Sequence, residues 1–120
     1  MIARVWQGVV PVEKADAYGE YLAGFGVADY KQFPGNLGVG LMRHDDGDVC
    51  HFLFISYWTT RAALEAYAGL EIDKANYYEY DLECLLEPSE TVRHYAILAS
   101  TGAPQTRAPA LEAPIVPQRN

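Results

Sequence analysis

The longest apolar stretch of the chain, Val49-Cys50-His51-Phe52-Leu53-Phe54-Ile55-Ser56-Tyr57-Trp58, is β-branched, aromatic or aliphatic at nearly every position. Neither face of such a strand is built for water, so it reads as a central strand covered on both sides. Thr59 or Thr60 then offers a hydroxyl to cap a helix. Ala63, Leu64, Tyr67 and Ala68 follow at helical spacing until Gly69 stops it. Before this unit, Ile2 to Val10 is rich in Val, Ile and Trp and predicts a first strand, broken at Pro11. From Glu13 the acids sit early in a helix whose apolar face is Tyr18, Tyr21, Leu22 and Phe25. Gly24 and Gly26 are expected to end it, with a short extra turn over Val27 to Phe33 before Pro34-Gly35-Asn36 forces a loop.

Leu37 to Arg43 predicts a second strand. Gly38 and Gly40 lie on one of its faces, leaving room there for a large side chain or a ligand. In His44-Asp45-Asp46-Gly47-Asp48, the Asp-Gly pair signals a tight hairpin, so strands two and three are antiparallel neighbours. A short helical or irregular piece over Glu71 to Tyr80 precedes a short strand or turn over Leu82 to Glu87, closed by Pro88. Thr91 to Ala99 then predicts a fourth strand. The order strand, helix, strand, strand, helix, strand is the ferredoxin-like split βαβ arrangement, an α+β fold with both helices on one face of a four-stranded antiparallel sheet. With strands apolar on both faces, the open face needs a cover, and a second copy of the same sheet supplies one. A homodimer is therefore expected.

Composition narrows the function classes. The chain has 120 residues, 50% of them hydrophobic and 21% charged, which suits one globular domain with a single core. A net charge of -7 disfavours nucleic acid and anionic membranes as partners. No basic, apolar leader opens the sequence and no run approaches transmembrane length, so a cytoplasmic protein is expected. Cys50 and Cys84 lack metal-ligand spacing and read as buried free thiols; no metal and no cofactor are expected. The aspartates of the hairpin lack the following Glu of a calcium loop. From Gly102, Pro104, Pro109, Pro114 and Pro117 recur too densely for helix or sheet, so 1–100 is taken as the domain and 101–120 as an extended or disordered tail.

Four features taken together resemble the antibiotic biosynthesis monooxygenase-like proteins of the dimeric α/β-barrel superfamily. They are the opening Met-Ile-Ala-Arg-Val-Trp, the turn Phe33-Pro34-Gly35-Asn36, the strand end Ile55-Ser56-Tyr57-Trp58 with its helix, and the closing Val92-Arg93-His94-Tyr95. The resemblance covers roughly residues 1 to 99. It implies two sheets joined into a dimeric barrel and a pocket in each subunit between sheet and helices. Members include cofactor-free oxygenases of aromatic polyketides, haem-degrading enzymes and quinol monooxygenases, so the fold alone leaves the function open. The Asn, Trp and His of the haem degraders fall by position near Gln7, Tyr67 and Tyr77, and without that His haem degradation is disfavoured. The Trp of the polyketide oxygenases matches Trp58, and their accompanying Asn falls near Phe54.

Cofactor-free oxygenation needs a substrate made electron-rich by losing a proton, a dry pocket, and donors for the resulting anion. Aromatic side chains with a polar edge suit this. Trp58 and Tyr77 are the catalytic candidates of that kind, while Trp6, Tyr67, Tyr78 and Phe54 are expected to bind substrate. With nine tyrosines in the chain, a core role is the ordinary alternative for each. His51 and His94 lie inside predicted strands and are the candidate proton acceptors, against a satisfied core or interface histidine. His44 is expected to be solvated. Arg4 and Arg93 on adjacent strands either bind an anionic substrate or pair with Glu at an interface, and the second is favoured. The resulting expectation is a cofactor-independent monooxygenase-like enzyme acting on an aromatic or polyketide-type small molecule with molecular oxygen. A cyclase or isomerase using the same proton transfer is one alternative. The other is a non-catalytic binding dimer, favoured if Trp58 and the tyrosines fill the pocket themselves.

Overall fold

The computed structural model describes residues 1–101, and the proline-rich segment falls outside the described residues from 102 onward. Four strands, β1 (Ile2–Pro11), β2 (Asn36–Asp46), β3 (Val49–Trp58) and β4 (Arg93–Ala96), form one sheet in the order β2-β3-β1-β4. Every neighbouring pair is antiparallel. This is the expected ferredoxin-like α+β arrangement. The hairpin between β2 and β3 turns on Gly47, whose φ of 64° is open to glycine at little cost. β4 is shorter than Thr91 to Ala99. It pairs only with Ile2 to Val5, because Lys74 bridges Thr91 and draws that end of the segment away from β1.

Period-two alternation divides the sheet into two unlike faces. Cys50, Phe52, Phe54, Ser56 and Trp58 on β3 are buried under the helices, beside Arg4, Trp6, Gly8 and Val10 of β1. Val49, Leu53, Ile55 and Tyr57 point the other way and are only half-buried, and His51 among them is exposed. β3 is thus covered on one face within the chain, not on both as its composition predicts. Gly38, Gly40 and Met42 of β2 share that open face.

The first helical segment does not stop at its glycines. Helix α1 (Ala15–Tyr21) passes into a π turn over Leu22–Gly26 and on into α2 (Val27–Lys31), so the chain stays helical through Lys31. Gly26 holds helical angles, and a β-carbon there would lie 3.1 Å from the Phe54 ring. The glycine makes room for the Phe54 ring and does not end the helix. Helix α3 (Arg61–Ala68) starts as expected: the Thr60 hydroxyl accepts from the Ala63 N–H at 3.1 Å. A fourth helix, α4 (Glu79–Cys84), runs from the end of the segment expected to be helical or irregular into the one expected to be a strand or turn, so Leu82 to Cys84 are helical instead. Its entry is closed by Asp81, which accepts from the Tyr78 N–H at 2.8 Å.

Two apolar clusters result. One gathers Val10, Tyr18, Leu22, Phe52 and Phe54 with Cys84 and Leu85, and the other centres on Trp58, Leu64 and Ile72. Cys50 and Cys84 are both buried free thiols, as their surroundings suggested. Among the described residues no helix is long and apolar enough to cross a membrane. Trp58 is fully buried and stacks on Tyr67 at 5.3 Å between ring centres. Replacing Trp58 by Ala is expected to cost about 3–5 kcal/mol, read as a lowered urea midpoint with the same slope.

Candidate active site

A cavity of about 390 Å³ lies between the helix-covered face of the sheet and the helices. β1 contributes Arg4 and Trp6 to it, β3 contributes Phe54, and the α1–π–α2 segment contributes Tyr18, Tyr21, Phe25, Asp29 and Tyr30. Tyr67 of α3 and the stretch from Ala75 to Asp81 complete the wall. The volume falls in the lower part of the range for ligand pockets, and the lining is mostly aromatic with a few polar groups. All four residues expected to bind substrate, Trp6, Phe54, Tyr67 and Tyr78, line it, as does Tyr77.

Trp6 and Tyr77 of this wall are engaged with each other. Trp6 Nε1 donates to the Tyr77 hydroxyl at 3.0 Å, and that hydroxyl donates to the Ser89 carbonyl at 2.6 Å. The Trp6 ring lies over Gly8, where any side chain would collide with the indole. Burial pushes the Tyr77 hydroxyl above its ordinary pKa, and does the same for Tyr67 and Tyr21. A raised pKa keeps these phenols protonated, and of the three only Tyr77 spends its hydrogen on a backbone carbonyl.

The other predicted residues are placed elsewhere. Trp58 sits beneath the cavity wall in the core, with its indole N–H donating to Ser56 Oγ at 2.9 Å. Alternation puts His51 on the opposite face of the sheet, 3.9 Å from Asp46, so it cannot share this cavity with Trp6 and Tyr77. His94 is on the helix side, but its lone pair is taken. A guanidinium carries only donors, so the 3.0 Å contact between Arg4 Nη1 and His94 Nε2 makes Nε2 the acceptor. Nδ1 then carries the hydrogen and donates to Asp73 Oδ1 at 3.0 Å. Burial and the Arg4 charge hold His94 below the ordinary imidazole pKa, against the opposing pull of Asp73.

Of the charged groups in the cavity wall, Asp29 and Asp81 were not singled out in the sequence, while Arg4 was named there as a binder of an anionic substrate or a partner of Glu. Asp81 is 6% exposed and accepts from the Tyr18 hydroxyl at 2.8 Å as well as from the Tyr78 N–H. Burial and Asp81 together raise the Tyr18 hydroxyl far above the usual phenol range. The signal for Asp81 was its place three residues after Tyr78, the spacing of a helix cap. Arg4 is also 6% exposed, and its Nη1 donates to the Ile72 carbonyl at 2.6 Å. Arg93 lies one residue from His94 on β4 and so faces away from Arg4, across the sheet.

The family profile of the antibiotic biosynthesis monooxygenases matches residues 1–75. The chain belongs to that family. No curated protein matches it. Among solved structures, an antibiotic biosynthesis monooxygenase superposes with a TM-score of 0.56 at 24% identity, covering 82% of this chain and 100% of that one. HapK from Hahella chejuensis gives 0.61 at 17%, covering 86% and 98%. The haem degrader MhuD from Mycobacterium tuberculosis, solved with two haems in its active site, gives 0.59 at 16%, covering 85% and 100%. At these identities the likeness shows the fold. Haem does not suit the cavity of this family member: its lining has no His, Cys or Met to hold an iron.

The His94 pair carries a pH dependence of stability. Its folded pKa lies below the unfolded value of 6.5, so the folded chain binds fewer protons and its stability rises with pH. That contribution is whole above about pH 6.5 and is lost as pH falls through the folded pKa. The thermal midpoint measured between about pH 8 and pH 5 is expected to fall on the acid side, less steeply in His94→Asn.

Proposed function

We propose that the chain is a cofactor-independent monooxygenase acting on a planar aromatic or polyketide-type molecule, with Asp81 as the proton acceptor. The observation that carries this reading is an aromatic-walled cavity that stays open, about 390 Å³ in volume, with a buried carboxylate in its wall. A binding dimer whose own rings fill the pocket is disfavoured, since Trp58 packs below the cavity and not into it. His51 is set aside by its position across the sheet, and His94 by its engagement with Arg4.

The chemistry follows from the groups present. An activated methylene flanked by phenolic rings gives up a proton to Asp81, and the carbanion delocalises into those rings. Stacking against Phe54 and the Tyr21–Phe25 pair, whose ring centres lie 5.6 Å apart, fixes the ring plane. Molecular oxygen takes the electrons. One oxygen atom becomes the new carbonyl, and the other leaves as water with the two methylene hydrogens, so CH2 and O2 give C=O and H2O.

Purified protein with a hydroxylated anthrone is expected to take up oxygen above a protein-free blank. Asp81→Asn should lower kcat by about a hundredfold or more, with Tm measured beside it to separate folding from chemistry, while His51→Ala leaves kcat unchanged. Proton exchange at the anthrone methylene without oxygen uptake would favour a cyclase or isomerase instead.

The dimer belongs to the same proposal. Val5, Leu53, Ile55 and Tyr57 share the open face of the sheet with Met42 and Tyr95, which are 46% and 50% exposed. A second copy of that sheet would cover them. Ile55→Asp is expected to give a monomer in sedimentation velocity, and an unshifted dimer would remove this interface.

A further inference from the structure

Arg4 is an anomaly in this cavity. The residue is 6% exposed, yet no carboxylate stands within ion-pairing distance of its guanidinium among the described residues. Its partners are neutral: the Ile72 carbonyl, the Lys74 carbonyl at 3.5 Å, and the His94 ring. Asp73, whose side chain is 79% exposed, meets the far nitrogen of that ring, while Asp29 and Asp81 border the same cavity without pairing with Arg4. A buried cation is ordinarily paired, because removing it from water costs several kcal/mol that carbonyl dipoles repay only in part. Both Nη1 hydrogens are committed, to Ile72 and His94, while Nε has no partner among the described residues. Arg4 also lines the cavity, beside the apolar Ala75 and Val92.

The guanidinium is held in place from behind. His94 accepts from it and is itself oriented by Asp73, so the side chain is fixed by a sheet neighbour and by the loop that follows α3. A fixed fork of donors with free capacity toward a cavity suits a planar oxyanion better than a water molecule. The cavity is also polar at a second place, because Asp81 accepts hydrogen bonds and repels anions. A ligand with its charge at one edge and a donor at another satisfies both groups.

We propose that the cavity binds a planar aromatic anion, a carboxylate or an ionised phenol, whose charged oxygen sits on the guanidinium of Arg4. This deepens the reading of the cavity as the site of an aromatic small molecule and rests on it. It adds a requirement that oxygenation by itself does not make, namely that neutral analogues of the same shape bind poorly.

The test compares 2-naphthoate with 2-naphthamide by titration calorimetry on the full chain at neutral pH, so that ring, shape and size are shared and charge differs. Naphthoate is expected to bind about tenfold or more tightly, and Arg4→Gln should bring the two ligands to about equal affinity. Arg4→Lys, which keeps the charge and loses the fork, should leave part of the preference. Equal affinities in the unmodified protein, or no binding of naphthoate, would overturn the proposal without the need of any variant. So would a preference that survives Arg4→Gln. Oxygen uptake is not a readout here, so a protein that turns over the anthrone yet binds both naphthyl ligands alike would lose the anion site and keep the oxygenase reading.

Discussion

The alternation of side chains along β1 and β3 is the constraint on which the rest of the molecule depends. One parity of β3 carries Cys50, Phe52, Phe54, Ser56 and Trp58 under the helices, and the paired parity of β1 carries Arg4, Trp6, Gly8 and Val10. Because a one-residue slip would exchange the faces, the register that buries Trp58 also aims Arg4 and Trp6 into the cavity. Core and site are thus specified by the same pairing. The helices supply cover and the remaining walls, but they do not choose which strand residues meet a ligand.

Much of the fold was legible because its signals are local and strong: the Asp46-Gly47 turn, the Thr60 cap, and the strand composition around Trp58. The site was legible in type more than in position. Trp6 and Phe54 line the cavity from the covered face of the sheet, and Tyr67, Tyr77 and Tyr78 line it from α3 and the segment before α4. Trp58 and His51 went astray for opposite reasons. Trp58 lies on the covered face but below the cavity, a depth that no spacing reveals. His51 sits out of phase with Phe52 and Phe54, and a strand apolar at almost every position hides its own alternation. Asp81 stood in a stretch without periodic pattern, where only its distance from Tyr78 marked it.

The polar groups of the cavity divide into those already satisfied and those with capacity left. Trp6, Tyr77 and Ser89 form a closed chain of donors and acceptors that stiffens the wall. His94 likewise spends both ring nitrogens, one on Arg4 and one on Asp73. A residue type suited to catalysis is therefore no guide once its hydrogen bonds are counted. Two charged groups, Asp81 and Arg4, are each buried and each border the same space.

The π turn over Leu22–Gly26 has a consequence for how such a cavity changes shape between relatives. A turn closed five residues apart instead of four holds one residue more than a regular helix needs, and each residue added or removed swings the following helix by about 100°. Phe25 and Tyr21 before the turn's end, and Tyr30 after it, face the same space only in this phase. The extra residue behaves like a reading-frame adjustment in the protein backbone. A single-codon insertion or deletion there would re-aim Asp29 and Tyr30 together, leaving the sheet, with Arg4 and Trp6 on it, untouched.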